Sequence, residues 1–198
     1  MISARLKVPG IEDTLPFRQA PHNLEAEQAL LGAILVDNEA MDKVSSFLEP
    51  HHFFDPLHQQ IFETAGKLMH AGKNATPITL RTFFERAEPI SPNLTVPQYL
   101  GTLAAKAVTI INAADYGRTI FDLATRRALI IIGEDMVTGA YDRTVDFTPQ
   151  LQIQEVKGLL SELEASAAWP EPDISILHRA QEPAPQMPLD GFLGGLHR

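Results

Sequence analysis

The 198-residue chain contains no cysteine. Disulfide staples, thiolate zinc sites and cysteine nucleophiles are therefore excluded together. Positive charge is also scarce. Sixteen Lys and Arg stand against 25 Asp and Glu, a formal net charge of −9. A compact domain with that balance repels a phosphate backbone unless its basic residues gather on one face. They are scattered in sequence, and the only adjacent pair is Arg126-Arg127. Nucleic acid is expected to be met only indirectly. Long apolar runs are missing too. The longest strongly apolar stretch, Ala128-Leu129-Ile130-Ile131-Ile132, is too short to span a bilayer. The start, Met1-Ile2-Ser3-Ala4-Arg5, lacks the apolar run of a signal peptide. These absences lead us to expect a cytoplasmic protein with no membrane partner.

Catalytic constellations are missing as well. A phosphate loop needs glycines, then Lys, then Ser or Thr, so that backbone amides cradle phosphates and the hydroxyl binds magnesium. Gly66-Lys67 is followed by Leu68, and Gly72-Lys73 by Asn74, so neither fits. There is no G-x-G-x-x-G and no G-x-S-x-G. His51, His52 and His58 lie near Asp55, and zinc can use such ligands. Nothing in the sequence makes them converge, and a structural role for the histidines is the reading adopted. No catalytic residue, metal or cofactor is expected, and the chain is read as non-enzymatic.

What is present is helical periodicity. Hydrophobic residues make up 44% of the chain, enough for a real core. Residues 1–20 show no period and are expected to be a flexible arm. Asn23 is expected to cap a helix from Leu24 to about Val36, with Glu25 and Glu27 favoured by the dipole of its first turn. Gly32 inside that helix costs stability, so a second backbone is expected to approach there. A short helix should follow Asn38, burying Met41, Val44, Phe47 and Leu48. Asp55-Pro56 reads as cap and first helical residue, and Gly72 as the stop. A further short helix is expected after Thr79, with Leu80, Phe83 and Phe84. Thr95-Val96-Pro97-Gln98 fits a capping box before Tyr99, Leu100, Leu103 and Ala107. Two long helices follow, about Asn112 to Tyr141 and Pro149 to about Ala168. Ile153, Val156, Leu160 and Leu163 are expected to share a face of the second. The short Asp142–Phe147 connection makes the two an antiparallel hairpin. No alternating strand pattern appears, so the class is all-α. The expected organisation is an arm over 1–20, a helical head over 21–110, a hairpin over 111–168 and a proline-rich linker or truncated tail over 169–198.

The first long helix has more apolar surface than one companion can cover. Ile120, Leu123 and Ala124 lie to one side; Phe121, Ala128, Ile132 and Met136 lie to another. A projecting hairpin has few neighbours in its own chain, so a second copy is expected to cover the rest. The expected interface is Tyr116, Ile120, Phe121, Ala124, Ala128 and Ile131. Phe121→Glu is accordingly expected to split a dimer while leaving the head folded. Arg118, Arg126 and Arg127 on the same helix are candidate docking residues for another protein.

The run Pro21-His22-Asn23-Leu24-Glu25-Ala26-Glu27-Gln28-Ala29-Leu30-Leu31-Gly32-Ala33-Ile34-Leu35 resembles the opening of the N-terminal domain of DnaB-type replicative DNA helicases. The resemblance continues at Phe53-Phe54-Asp55-Pro56-Leu57-His58-Gln59-Gln60-Ile61-Phe62, Ala113-Ala114-Asp115-Tyr116 and Arg126-Arg127-Ala128-Leu129, covering about residues 21–168. It implies a helical head and a hairpin that pairs between subunits, building a collar of three dimers above a ring of ATPase domains. It also implies primase or helicase-loader docking within a primosome. The family's motor is absent from this chain, so a full-length parent would be the ATP-dependent helicase. The tail, with Pro170, Pro172, Pro183, Pro185 and Pro188, resembles the junction to a phage-type replication domain. A rival reading is thus a free-standing phage adaptor that mimics the collar and binds a host helicase or primase. A weaker third reading is a His/Asp metalloenzyme.

Because no phosphate-binding loop is present, the purified chain should neither hydrolyse ATP nor unwind a forked duplex. Turnover that survives removal of contaminating ATPases would contradict this. It should also bind single-stranded DNA weakly at physiological salt, and sub-micromolar binding in a titration would show that its basic residues are gathered after all.

Overall fold

The computed structural model describes residues 18–107, 112–142 and 148–166. Residues 1–17 of the expected arm, the connection over 143–147 and the tail from 167 onward lie outside the described residues. The helices described are α1 (Leu24–Val36), α2 (Glu39–Asp42), α3 (Pro56–His70), α4 (Pro77–Phe84), α5 (Val96–Lys106), α6 (Ala113–Asp142) and α7 (Pro149–Ser166). A 3-10 turn occupies Pro50–His52. The class is all-α: among the described residues there is no strand, only an isolated bridge between Ser91 and Leu94.

Local chemistry explains most helix ends. The Asn23 side chain accepts from the Ala26 amide at 3.0 Å, and Asp55 accepts from the Leu57 amide at 2.7 Å. Thr95 and Gln98 close a reciprocal capping box. Gly72 takes φ +70, where a side chain would be strained, and the Lys73 amide reaches back to the Leu68 carbonyl at 2.9 Å. One end differs from the sequence reading. α4 starts at Pro77, because Thr76 caps it and Thr79 returns the bond as the third helical residue. Asn38 does not cap α2. Its amide donates to the Ile34 and Ala75 carbonyls, both at 2.8 Å, and its oxygen accepts from the Ala75 amide at 2.9 Å. It clips the α1–α2 corner to the loop before α4.

The core is one cluster. Leu30, Leu31, Ile34 and Leu35 of α1 meet Ile61, Phe62 and Ala65 of α3, Leu80 and Phe84 of α4, and Leu100 and Leu103 of α5. Phe53 fills its centre at 1% exposure. Phe83, by contrast, is exposed, as is Ile78 on the same short helix. Gly32 is where α1 meets α5. A Cβ there would stand 2.5 Å from the Leu103 carbonyl oxygen and 3.2 Å from its carbon. The two backbones touch, as the internal glycine implied.

α6 corrects the sequence reading. Its first third belongs to the head core: Ala113, Gly117, Ile120 and Phe121 are all buried. Gly117 allows this, since a Cβ there would lie 2.7 Å from Val44 and 3.1 Å from Phe47. Phe121 meets Phe47 edge-on at 6.0 Å and His52 at 4.9 Å. A long helix can serve different neighbours along its length. The sequence pattern showed only that α6 needed covering on several sides.

Gly32→Ala should lower stability by about 1–3 kcal/mol in denaturant titration, since backbone, not a yielding side chain, opposes the new methyl. Phe121→Glu should now destabilise the head itself, because an unpaired charge would enter its core. A cooperative unfolding midpoint unchanged from wild type would restore the original assignment.

Candidate assembly surface and its anchoring

Beyond Phe121 the buried surface almost ends. In the rest of α6 only Gly139 is buried, and in the 18 residues of α7 none is. The two helices run antiparallel, tied by a bond from the Gln152 side chain to the Met136 carbonyl at 2.7 Å. Ile132, Met136 and Gly139 of α6 face Gln152, Val156 and Leu159 of α7 across a cleft of about 340 Å³. This is a rotation from the expected α7 face. Val156 and Leu163 do turn inward, but Ile153 and Leu160 stay exposed. Ile130 and Val137 of α6 are exposed as well. Each of these two pairs is spaced by seven residues, the repeat that lines one helix edge against a partner helix.

The expected interface residues divide accordingly. Ile120 and Phe121 are 2% and 7% exposed, covered within their own chain. Tyr116 is half-buried and packed on the core. Ala124 and Ala128 line a cleft of about 410 Å³ between the head, α6 and the last turn of α7. Ile131 lies at its rim, 56% exposed. The six do share one side of α6, but that side mostly faces the head and α7. Of the candidate docking residues, Arg118 lies 3.8 Å from Asp115, and Arg126 is exposed. Arg127 is committed elsewhere. Its guanidinium donates to the Pro21 carbonyl at 2.8 Å and the His52 carbonyl at 2.6 Å, and stands 5.7 Å from the Phe54 ring centre. Burial lowers its pKa, with Glu27 acting in the opposite sense.

The anchoring of this surface runs through a first-turn glutamate whose long-range partners the sequence left unnamed. Glu27 is 2% exposed. One carboxylate oxygen accepts from the Phe54 amide at 2.6 Å. The other accepts from the Asp55 amide at 3.3 Å and from His58 Nδ1 at 2.7 Å. His58, 1% exposed, pairs through Nε2 with the Tyr99 hydroxyl at 2.7 Å. Burial raises the Tyr99 pKa; a hydrogen bond with Gln28 opposes this, while Asp55 and Glu27 reinforce it. The signal was in the sequence: Glu27 sits three and four residues before Leu30 and Leu31, on the apolar stripe of α1. His58 likewise precedes Ile61 and Phe62. The histidines therefore separate. His58 enters the core, while His51 and His52 lie in the 3-10 turn, their rings tilted by 55° with centroids 4.1 Å apart. Among the described residues no group of three potential ligands converges on a metal position.

His52 has its pKa lowered to about 4, by burial first, then by His51 and by Arg127. The Glu49 amide also donates to its Nδ1 at 2.9 Å, a bond that only the unprotonated nitrogen accepts.

Glu27→Ala should cost about 3–5 kcal/mol in denaturant titration, because it strands two amides and a buried histidine. His52 gives a pH prediction. Its folded pKa lies below the unfolded value, so the unfolded chain takes the proton first. Its contribution is full above pH 6.5 and declines as the pH falls towards about 4. With allowance for screening of a ring partly open to water, the loss is on the order of 1 kcal/mol. His52→Gln should flatten that part of the stability profile; an unaltered slope would contradict the assignment.

Comparison with known proteins agrees with this architecture. The family model described as the DnaB-like helicase N terminal domain matches residues 19–122. A replicative DNA helicase DnaB from Rickettsia conorii is 42% identical over 153 residues, 77% of this chain and 31% of that protein. One from Pasteurella multocida is 31% identical over 144 residues, 73% of this chain and 29% of the relative. The chain thus spans about a third of the relatives it matches. The crystal structure of the N-terminal domain of DnaB helicase from Mycobacterium tuberculosis aligns with a TM-score of 0.61 at 25% identity, covering 73% of this chain and 99% of that one. The family-model match over residues 19–122, together with relatives 42% and 31% identical over about three quarters of the chain, places this chain in the DnaB-like helicase N-terminal domain family.

Proposed function

We propose that this chain acts as the non-catalytic collar of a DnaB-like replicative DNA helicase: it holds subunits together and receives primase or a helicase loader. The observation that carries this reading is the hairpin. Its two helices leave Ile130, Ile131, Val137, Ile153 and Leu160 exposed. Scattered apolar residues on a surface need no explanation. A run of them along one hairpin, at seven-residue spacing, marks an interface between helices. The occupant that fits is the same surface of a second copy, since a self-complementary patch closes a two-fold dimer and dimers are the unit of a larger ring. Ile130, Val137, Ile153 and Leu160 replace Ile120 and Phe121 as the contact. Acidic overall, such a collar would leave DNA to the motor and make its contacts through protein.

The chain should sediment as a dimer or higher assembly. Ile153→Glu with Leu160→Glu should shift it to monomer while circular dichroism stays nearly unchanged, because neither side chain is buried within the chain. A wild type that is monomeric at tens of micromolar, about where a weak dimer still forms, would overturn the reading.

A further inference from the structure

We infer that Arg127 is a clasp that sets the angle of the hairpin on the head, and that the Ala20–His22 segment is the strap on which it closes. α6 is a single helix of 30 residues. Its buried anchors, Ala113 to Phe121, lie near one end, and Gly139 lines the cleft shared with α7. At 1.5 Å per residue, Arg127 stands roughly 9 Å beyond the last of those anchors. It adds an attachment beyond that buried span, and a longer attached span holds the direction of a lever more firmly.

The chemistry suits a clasp. Both acceptors are backbone carbonyls of the head, Pro21 and His52, from two separate segments. A planar guanidinium presents its donors in a fixed fork and can hold both at once; an ammonium on a flexible stem cannot reproduce that geometry. Each acceptor is itself held. The turn after His52 is bound by Glu27 through the Phe54 and Asp55 amides. On the other side, the His22 ring lies flat on Phe54, centroids 4.2 Å apart and planes 12° from parallel, while its Nδ1 donates to the Ala20 carbonyl at 2.7 Å. Phe54 is thus shared between the strap ring and the Arg127 cation. Displacing the strap removes one of the two carbonyls and exposes the ring beneath the guanidinium. The hairpin then tilts while the core, which Arg127 does not enter, stays folded.

The absence of native cysteine makes the test direct. Gln60→Cys on α3 and Ala140→Cys near the far end of α6, both exposed, are spin-labelled in the full chain. The sample is diluted with excess unlabelled chain, so distances within one copy are read whether or not copies associate. Pulsed dipolar spectroscopy should give one narrow distance distribution for wild type. Arg127→Gln and Arg127→Lys should both broaden it and shift its mean. His22→Ala should do so less, and His22→Ala combined with Arg127→Gln no more than Arg127→Gln alone. Circular dichroism should match wild type throughout. If both Arg127 variants keep the wild-type distribution, the angle is set elsewhere and the inference fails. If both lose helical signal along with the narrow distance, Arg127 supports the core as a whole, and the clasp is equally excluded.

Discussion

The buried carboxylate of Glu27 is the constraint on which the rest of the head depends. A charge taken out of water must recover its hydration from fixed donors, or the fold loses several kcal/mol. Here the donors come from a single segment: two consecutive amides at Phe54 and Asp55, and the ring of His58 one turn into α3. α1, the turn before α3, and α3 itself can therefore take only one mutual register. Tyr99 extends the constraint to α5 through the far nitrogen of the same ring. The contact specifies more than it stabilises. A hydrophobic side chain of similar volume might pack there equally well, but it would not dictate which amides face it. With the turn fixed, the His52 carbonyl is fixed, and with it the point where α6 is gripped.

What the sequence disclosed follows the range of each interaction. Asn23, Asp55, Thr95 and Gly72 act on residues within five positions of themselves, and each did what its local pattern implied. Gly32 could be read because a glycine inside an apolar helix has few other uses, although its partner, the Leu103 backbone, could not be named. The long-range partners of Asn38, Glu27 and Arg127 could not be read from the sequence, for one shared reason. Each has a plausible local role, as cap, dipole partner or surface cation. Each also commits polar atoms to backbone at least 27 positions away. Single-chain periodicity reveals that a polar residue lies on an apolar stripe; it does not reveal the donor waiting for it.

The exposed surface has the same logic. The apolar excess of α6 was visible, and that it required several neighbours was sound. Assigning the neighbours needed the path of the chain. Gly117 lets α6 approach Val44 and Phe47, so Ile120 and Phe121 are consumed by the head before any partner arrives. The excess left over sits further along, at Leu129, Ile130, Ile131 and Val137, and the companion helix leaves Ile153 and Leu160 exposed as well.

This division of labour explains why the molecule is built in two styles. The head closes its own core. The hairpin does not: α7 turns Val156 and Leu163 towards α6, neither of them fully buried, and leaves most of its other apolar side chains open to water. A surface left incomplete in that way is costly in a lone chain and useful in an assembly, because each apolar residue withheld from the single chain is available between chains. The cost also restricts where the incomplete part can be placed. If the hairpin were free to pivot, its exposed seam could meet a second copy at many angles, and assemblies of differing curvature would compete. A closed ring needs one angle. The bond from Arg127 to two head carbonyls is the feature of this chain that supplies a fixed direction at the base of the lever. In the proposed collar, the buried glutamate that orders the head would thereby act, through four residues of turn, on the geometry available to the assembly.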